Sequence, residues 1–241
     1  MNFKASTVRI LFTILATLIL PALASAQKSG YVWANEPASA SYTPSAAYSF
    51  NSAGGGISIS RSSVGTYAVR FSGLGGGGGG NVLVTSYGGG SETCKVASWG
   101  SGGADFTANV RCFNAGGAAI DTMYTVRVVM NNPAAAAHGN GYAWADNPTG
   151  ASYTPNATYS FNSSGGPISI TRSGVGTYTV KFSGLGGNGA GGNVQVTAYG
   201  ADADTCKVAS WAFAPTDFTA NVRCFRGGAP VDTRYSINVV R

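Results

Sequence analysis

The chain has 241 residues, 15 of them basic and nine acidic, and 36 glycines; only 10% are charged. The basic residues are scattered singly rather than run together, which excludes the patch or stripe that nucleic-acid binding needs. The abundance of glycine, serine, threonine and alanine suits an extracellular β protein, and after residue 26 no stretch carries apolar i, i+3, i+4 spacing over three turns, which excludes a helical fold.

Residues 1–26 read as a targeting segment. Lys4 and Arg9 supply a positive start, Ile10 to Leu20 an apolar run of 11 residues, and Ala24-Ser25-Ala26 a small-residue cleavage site before Gln27. Eleven apolar residues fall well short of the ~20 of a spanning helix. No cysteine follows to take a lipid, so cleavage and release without membrane insertion are expected. Without Lys4 and Arg9, 13 basic residues face nine acidic ones, a net charge of +4. The expected location is periplasmic or extracellular, where disulfides persist.

The rest is an internal duplication. Gly30–Gly75 aligns without gaps on Gly141–Gly186, identical at 33 of 46 positions, and Asn81–Phe113 aligns on Asn193–Phe225, identical at 22 of 33. The expected division is a first repeat over 27–130, a linker over 131–140 that permits hinge motion, and a second repeat over 141–241. In the first repeat the spacing predicts strands over Tyr31–Ala34, Tyr48–Asn51, Ile57–Arg61, Thr66–Ser72, Val82–Tyr87, two hairpin strands, and Tyr124–Met130. Tyr67, Val69 and Phe71 alternate with Ala68, Arg70 and Ser72, as a half-buried strand requires. The glycine run Gly75–Gly80 precedes a strand rather than a helix and lacks the following lysine of a phosphate-binding loop, so it reads as a connection. The expected fold is all-β: two tandem antiparallel β-sandwiches, immunoglobulin-like or jelly-roll, with one disulfide each.

The hairpin is set by arithmetic. If Cys94 faces Cys112, then Val96 faces Val110 and Ser98 faces Ala108 on one side. The other side then carries Lys95 facing Arg111, Ala97 facing Asn109 and Trp99 facing Thr107. The second copy pairs Cys206 with Cys224, Lys207 with Arg223 and Trp211 with Thr219. The cysteine spacing is neither C-x-x-C nor accompanied by histidines, so disulfides are expected rather than a metal site.

Chemistry is mostly excluded. The single histidine, His138, lies in the linker, so no histidine triad or histidine zinc site can be built within a repeat. The recurring carboxylates Glu92, Asp105 and Asp121, matched by Asp204, Asp217 and Asp232, sit where acids finish turns. No calcium loop of the D-x-D-x-D-G kind is present. No catalytic residue, metal or cofactor is assigned. In a sandwich one tryptophan per domain is often buried against the disulfide, the role expected of Trp33 and Trp144.

The run Tyr142-Ala143-Trp144-Ala145-Asp146, with Gly176-Thr177-Tyr178-Thr179-Val180-Lys181-Phe182, Asn193 to Gly200, Cys206-Lys207-Val208 and Asn221-Val222-Arg223-Cys224-Phe225, resembles a repeat of secreted bacterial proteins. That resemblance covers nearly all of the chain after residue 26 and brings no activity or site residues. The Gly-Thr-Tyr-x-Val-x-Phe strand is also similar to one in C1q-like jelly rolls, an analogy of fold alone.

A secreted, non-catalytic binding or adhesion protein is therefore expected, its ligand an anionic glycan or a surface protein. A structural component of a matrix or envelope is the alternative, and a carboxylate-dependent hydrolase the third reading. The expected ligand-binding face is the non-cysteine side of the hairpins: Lys95, Trp99, Asn109 and Arg111, with Lys207, Trp211, Asn221 and Arg223. Lys95 opposite Arg111 places like charges across a strand pair, which an acid such as Glu92 or Asp204, or an anionic partner, would offset.

Overall fold

The computed structural model describes residues 28–130, 139–187 and 192–240. The targeting segment, the linker through His138 and the centre of the second glycine-rich connection lie outside them.

The first repeat begins with β1 (Lys28–Ala34), β2 (Ser41–Tyr42), a 3₁₀ turn at Ala46–Tyr48 and β3 (Ser49–Asn51). It continues with β4 (Ile57–Ser63), β5 (Thr66–Phe71), β6 (Gly80–Tyr87), β7 (Thr93–Gly100), β8 (Phe106–Phe113) and β9 (Met123–Met130). The second repeats the series as β10 (Asn140–Ala145), β11 (Ser152–Tyr153), β12 (Ser160–Asn162), β13 (Ile168–Gly174) and β14 (Thr177–Phe182). It closes with β15 (Asn193–Tyr199), β16 (Thr205–Phe213), β17 (Phe218–Arg226), β18 (Ala229–Pro230) and β19 (Arg234–Val240). Every expected strand is present. The two-residue strands β2 and β11 are additions too short for periodicity to mark.

Each repeat is an antiparallel sandwich of a four-stranded sheet, ordered β3-β1-β9-β6 or β12-β10-β19-β15, against a second sheet ordered β2-β4-β5-β8-β7 or β11-β13-β14-β17-β16, the latter with β18 paired on β17 as a sixth strand. Alternate residues point inward because strand side chains have a period of two. Val32, Val84 and Val126 from one sheet therefore meet Val69, Phe71 and Val110 from the other in a closed core. The sheets approach closely over Gly30, where a Cβ would stand 2.8 Å from the Phe71 ring. Gly141 and Phe182 repeat that relation. The disulfides Cys94–Cys112 and Cys206–Cys224 join the second residue pair from the open end of each hairpin, on its core side.

The two sandwiches share a sheet. β15 lies parallel to β7 at Tyr199↔Val96, joining the four-stranded sheet of the second repeat and the five-stranded sheet of the first into one nine-stranded sheet. The Gly200 amide donates to the Val96 carbonyl at 2.9 Å. Further bonds cross the joint, Thr197 Oγ1 to Val84 O at 3.2 Å and Arg127 Nη1 to Asn238 Oδ1 at 3.2 Å. Leu83 and Asn81 on β6 are buried there. The outer face of β15 and β19 is seated on β6 and β7 of the first repeat, while the linker expected to permit hinge motion lies, through His138, outside the described residues.

Candidate functional site

The hairpins hold the expected register only as far as Val96↔Val110. A β-bulge at Ala97 then shifts the pairing, so Ser98 faces Asn109, Trp99 faces Ala108 and Gly100 faces Thr107. The second hairpin bulges at the equivalent Ala209, with Ser210 facing Asn221 and Trp211 facing Ala220. One extra residue reverses every later side chain. Trp99 therefore lies on the disulfide side, against Phe106 at 5.4 Å between ring centroids, and not beside Lys95 and Arg111. Ser98 lies opposite Asn109, the place expected for Ala97, and accepts from Asn109 Nδ2 at 2.9 Å; Ser210 and Asn221 repeat that bond. The eight residues expected to form one face per hairpin are thus divided between two.

The like-charge pair is resolved from the other repeat. Lys95, 3% exposed, donates from Nζ to Asp202 Oδ1 at 2.9 Å. Arg226 bridges Asp202 and the buried Asp204. Burial lowers the Lys95 pKa below the ordinary lysine range, against the raising effect of the Asp202 hydrogen bond and charge. Arg111 is half-buried with its guanidinium 5.5 Å from the Phe113 ring centre. In the second hairpin Lys207 and Arg223 are exposed, Lys207 lying 5.6 Å from the Phe225 ring centre. Position 202 corresponds to Gly90 in the first repeat, so the acid exists in one copy only.

The other recurring carboxylates hold the fold. Asp121 accepts two hydrogen bonds from Arg61, one from the Gly65 amide at 2.8 Å and one from the Tyr67 hydroxyl at 2.9 Å. Asp232 does the same with Arg172, Gly176 and Tyr178. The arginine hydrogen bonds are the largest cause that keeps the Asp121 carboxyl far below the usual range and brings Asp232 down to about 2, burial opposing both. Asp105 binds Arg70 and the Gly73 amide, and Asp217 binds Lys181 and the Gly184 amide. Among the described residues no group of three histidine, cysteine or acidic side chains is placed to hold a metal ion. None of their helices is long and apolar enough to cross a membrane.

The outer faces of the four-stranded sheets carry the feature that sequence reasoning missed. Trp33 is not packed on the disulfide: Val32 and Ala34 face the core, so Tyr31 and Trp33 point outward. The Trp33 ring centre lies 5.3 Å from those of Tyr48 and Tyr87, and Tyr31 stacks on Phe50 at 5.8 Å. The second repeat rebuilds the cluster, with Trp144 at 5.4 Å from Tyr159 and Tyr199, and Tyr142 at 5.9 Å from Phe161. Yet the copies differ in surroundings. In the first repeat Tyr31, Tyr48, Phe50 and Tyr87 are 50%, 59%, 46% and 53% exposed. In the second, Tyr142 is buried and the others are half-buried. Trp99 stands edge-on to Tyr159 at 5.5 Å, and Gly78, Gly79 and Gly100 close over Trp144 and Tyr199. The first repeat thus caps the aromatic face of the second, while its own face stays open. Arg127, Thr85, Thr125 and Gln195 supply polar groups along the open groove, whose volume is about 400 Å³.

Fold and surface together define a tandem β-sandwich protein with one capped and one open aromatic face. Compared with protein-family models, with curated proteins and with solved structures, the chain matches none.

Proposed function

We propose that this chain is a secreted, non-catalytic binding or adhesion protein whose binding surface is the open aromatic face of the first repeat. The observation that carries the reading is the contrast between copies: the same rings are capped in the second repeat and left in solvent in the first. Contiguous exposed apolar surface with polar neighbours is the mark of an interaction site. Flat rings held rigidly on a sheet offer large contact area at small entropic cost, suited to the apolar face of a sugar or to an apolar protein surface. Arg127, at the groove, offers its guanidinium to an anionic group of such a ligand.

The engagement of Asp105, Asp121, Asp217 and Asp232 in ion pairs and turn hydrogen bonds supports a non-catalytic role. The reading is tested by applying labelled mature protein to a glycan array and to intact cells. Tyr48→Ser with Tyr31→Ser, both on the surface, should abolish capture while leaving the circular dichroism spectrum unchanged. Capture that survives this double change removes the face from function.

A further inference from the structure

We infer that the occupant of the open face is a second copy of this chain, whose β16 edge docks as β7 docks within the molecule. This deepens the proposed function and rests on it. Within the chain, the joint between repeats has two complementary sides. One is the β7 edge with Trp99; the other is the aromatic face with the end of β15, where Tyr199 packs against the core of the first repeat and Gly200 bonds to Val96. Because the repeats are copies, each side exists twice, and the molecule uses each once.

The unused pair is exposed. Tyr87 and Gly88, counterparts of Tyr199 and Gly200, end β6 in solvent, and Gly88 has the same left-handed sense as Gly200, φ 144 against 128. On the other side β16 is the terminal strand of its sheet. Lys207 is exposed and Val208 half-buried where Lys95 and Val96 are buried, and Trp211 is 40% exposed where Trp99 is half-buried. An uncovered edge strand carrying an exposed tryptophan is a template for pairing with another chain. The fit predicted is Trp211 of one molecule against Tyr48 and Trp33 of the next, with the Gly88 amide donating to the Val208 carbonyl. The two surfaces lie on different repeats, so the contact is heterologous and each molecule can engage two others.

One element of the internal joint is missing from this external one. Asp202, which neutralises Lys95, is replaced by Gly90, so Lys207 of the docking molecule meets no equivalent acid. The external joint is accordingly the weaker of the two. Gly90→Asp should strengthen it, since the atoms nearest a Cβ at this position belong to the end of the Glu92 side chain, which can swing away.

Sedimentation velocity of the mature, disulfide-bonded chain from about 1 µM to about 1 mM, a span covering weak to moderate association, provides the test. The mass should rise with concentration, and Trp211→Ser or Tyr48→Ser should each weaken association at least ~10-fold. Mixed together, these two variants retain one intact surface each and should form a 1:1 pair and nothing larger. Gly90→Asp should tighten association about 5-fold at low salt, an effect Lys207→Ser should cancel. Wild-type and Gly90→Asp chains that both remain monomeric overturn the proposal, as does association that neither variant weakens. If the chain stays monomeric but Tyr48→Ser still loses capture on cells, the second copy is refuted while the open face survives as a surface for another ligand. If neither effect is seen, both readings fall.

Discussion

Replacing Asp202 by asparagine should strand the Lys95 ammonium inside the joint between repeats. Lys95 keeps a side chain only 4% exposed, while Asp202 is 48% exposed, so water reaches one partner and not the other. Breaking a fully buried pair from one side costs about 3–5 kcal/mol, and the solvent access at Asp202 reduces the expected loss to about 1–2 kcal/mol. Lys95→Met removes the stranded charge while keeping an apolar stem, so the double variant should recover most of that loss. The pH dependence has a definite sign. Burial depresses the folded-state pKa of Lys95, so between that value and the ordinary lysine value the unfolded chain binds more protons, and stability rises with pH. The penalty of Asp202→Asn should thus be greatest near neutrality and shrink as pH approaches about 10. Urea unfolding followed by circular dichroism, with disulfides intact, measures each quantity. A variant within about 0.5 kcal/mol of wild type, or a double variant no more stable than Asp202→Asn alone, would refute the reasoning.

Asp232→Asn should lower the urea midpoint by removing the charge that Arg172 neutralises and by setting an NH2 donor against Arg172 Nη2 in place of the accepting Oδ2. Since the Asp232 carboxyl titrates near 2 in the folded chain, its stabilisation is complete above about pH 4 and lost as pH falls towards 2; an acid titration should be less steep in the variant. Gly65→Ala should cost about 1–3 kcal/mol by thermal unfolding, because φ is +62° and the added Cβ would stand 2.5 Å from the Cys112 carbonyl. Trp99→Ala should cost about 2 kcal/mol and Trp211→Ala less than about 1 kcal/mol in the same assay, although the two sit in identical local sequence.

The fold was legible where alternation ran unbroken. Tyr67-x-Val69-x-Phe71 and the paired cysteines place the sandwich strands and the disulfides because burial on one face forces a period of two. Nothing in Val96-Ala97-Ser98 marks the bulge, since both residues after Val96 are small and fit either face; the parity of Trp99 was lost there. Trp33 was misplaced for a different reason. Tyr31-Val32-Trp33-Ala34 is apolar on both sides, which is how a strand reads when its outer face also has contacts to make. The capped and open faces were invisible to comparison of the copies, because Tyr48 and Tyr159 are the same letter in different surroundings. The departures Gly90 against Asp202, Leu83 against Gln195 and Arg127 against Asn238 do trace the joint.

In each repeat the first strand pairs with the last, Lys28 with Met130 and Asn140 with Val240, at the centre of the four-stranded sheet. The hairpins close over a separation of 18 residues and can form as soon as their own sequence is available. The sheet cannot close until the final strand of its repeat arrives, so loop closure is made late and against a large entropy. The local hairpins can therefore form before the sandwich closes, and the sequence of the first repeat is complete before that of the second is made. The joint between the repeats uses β15, which is held by the last strand β19, so it can be made only once the whole chain is present.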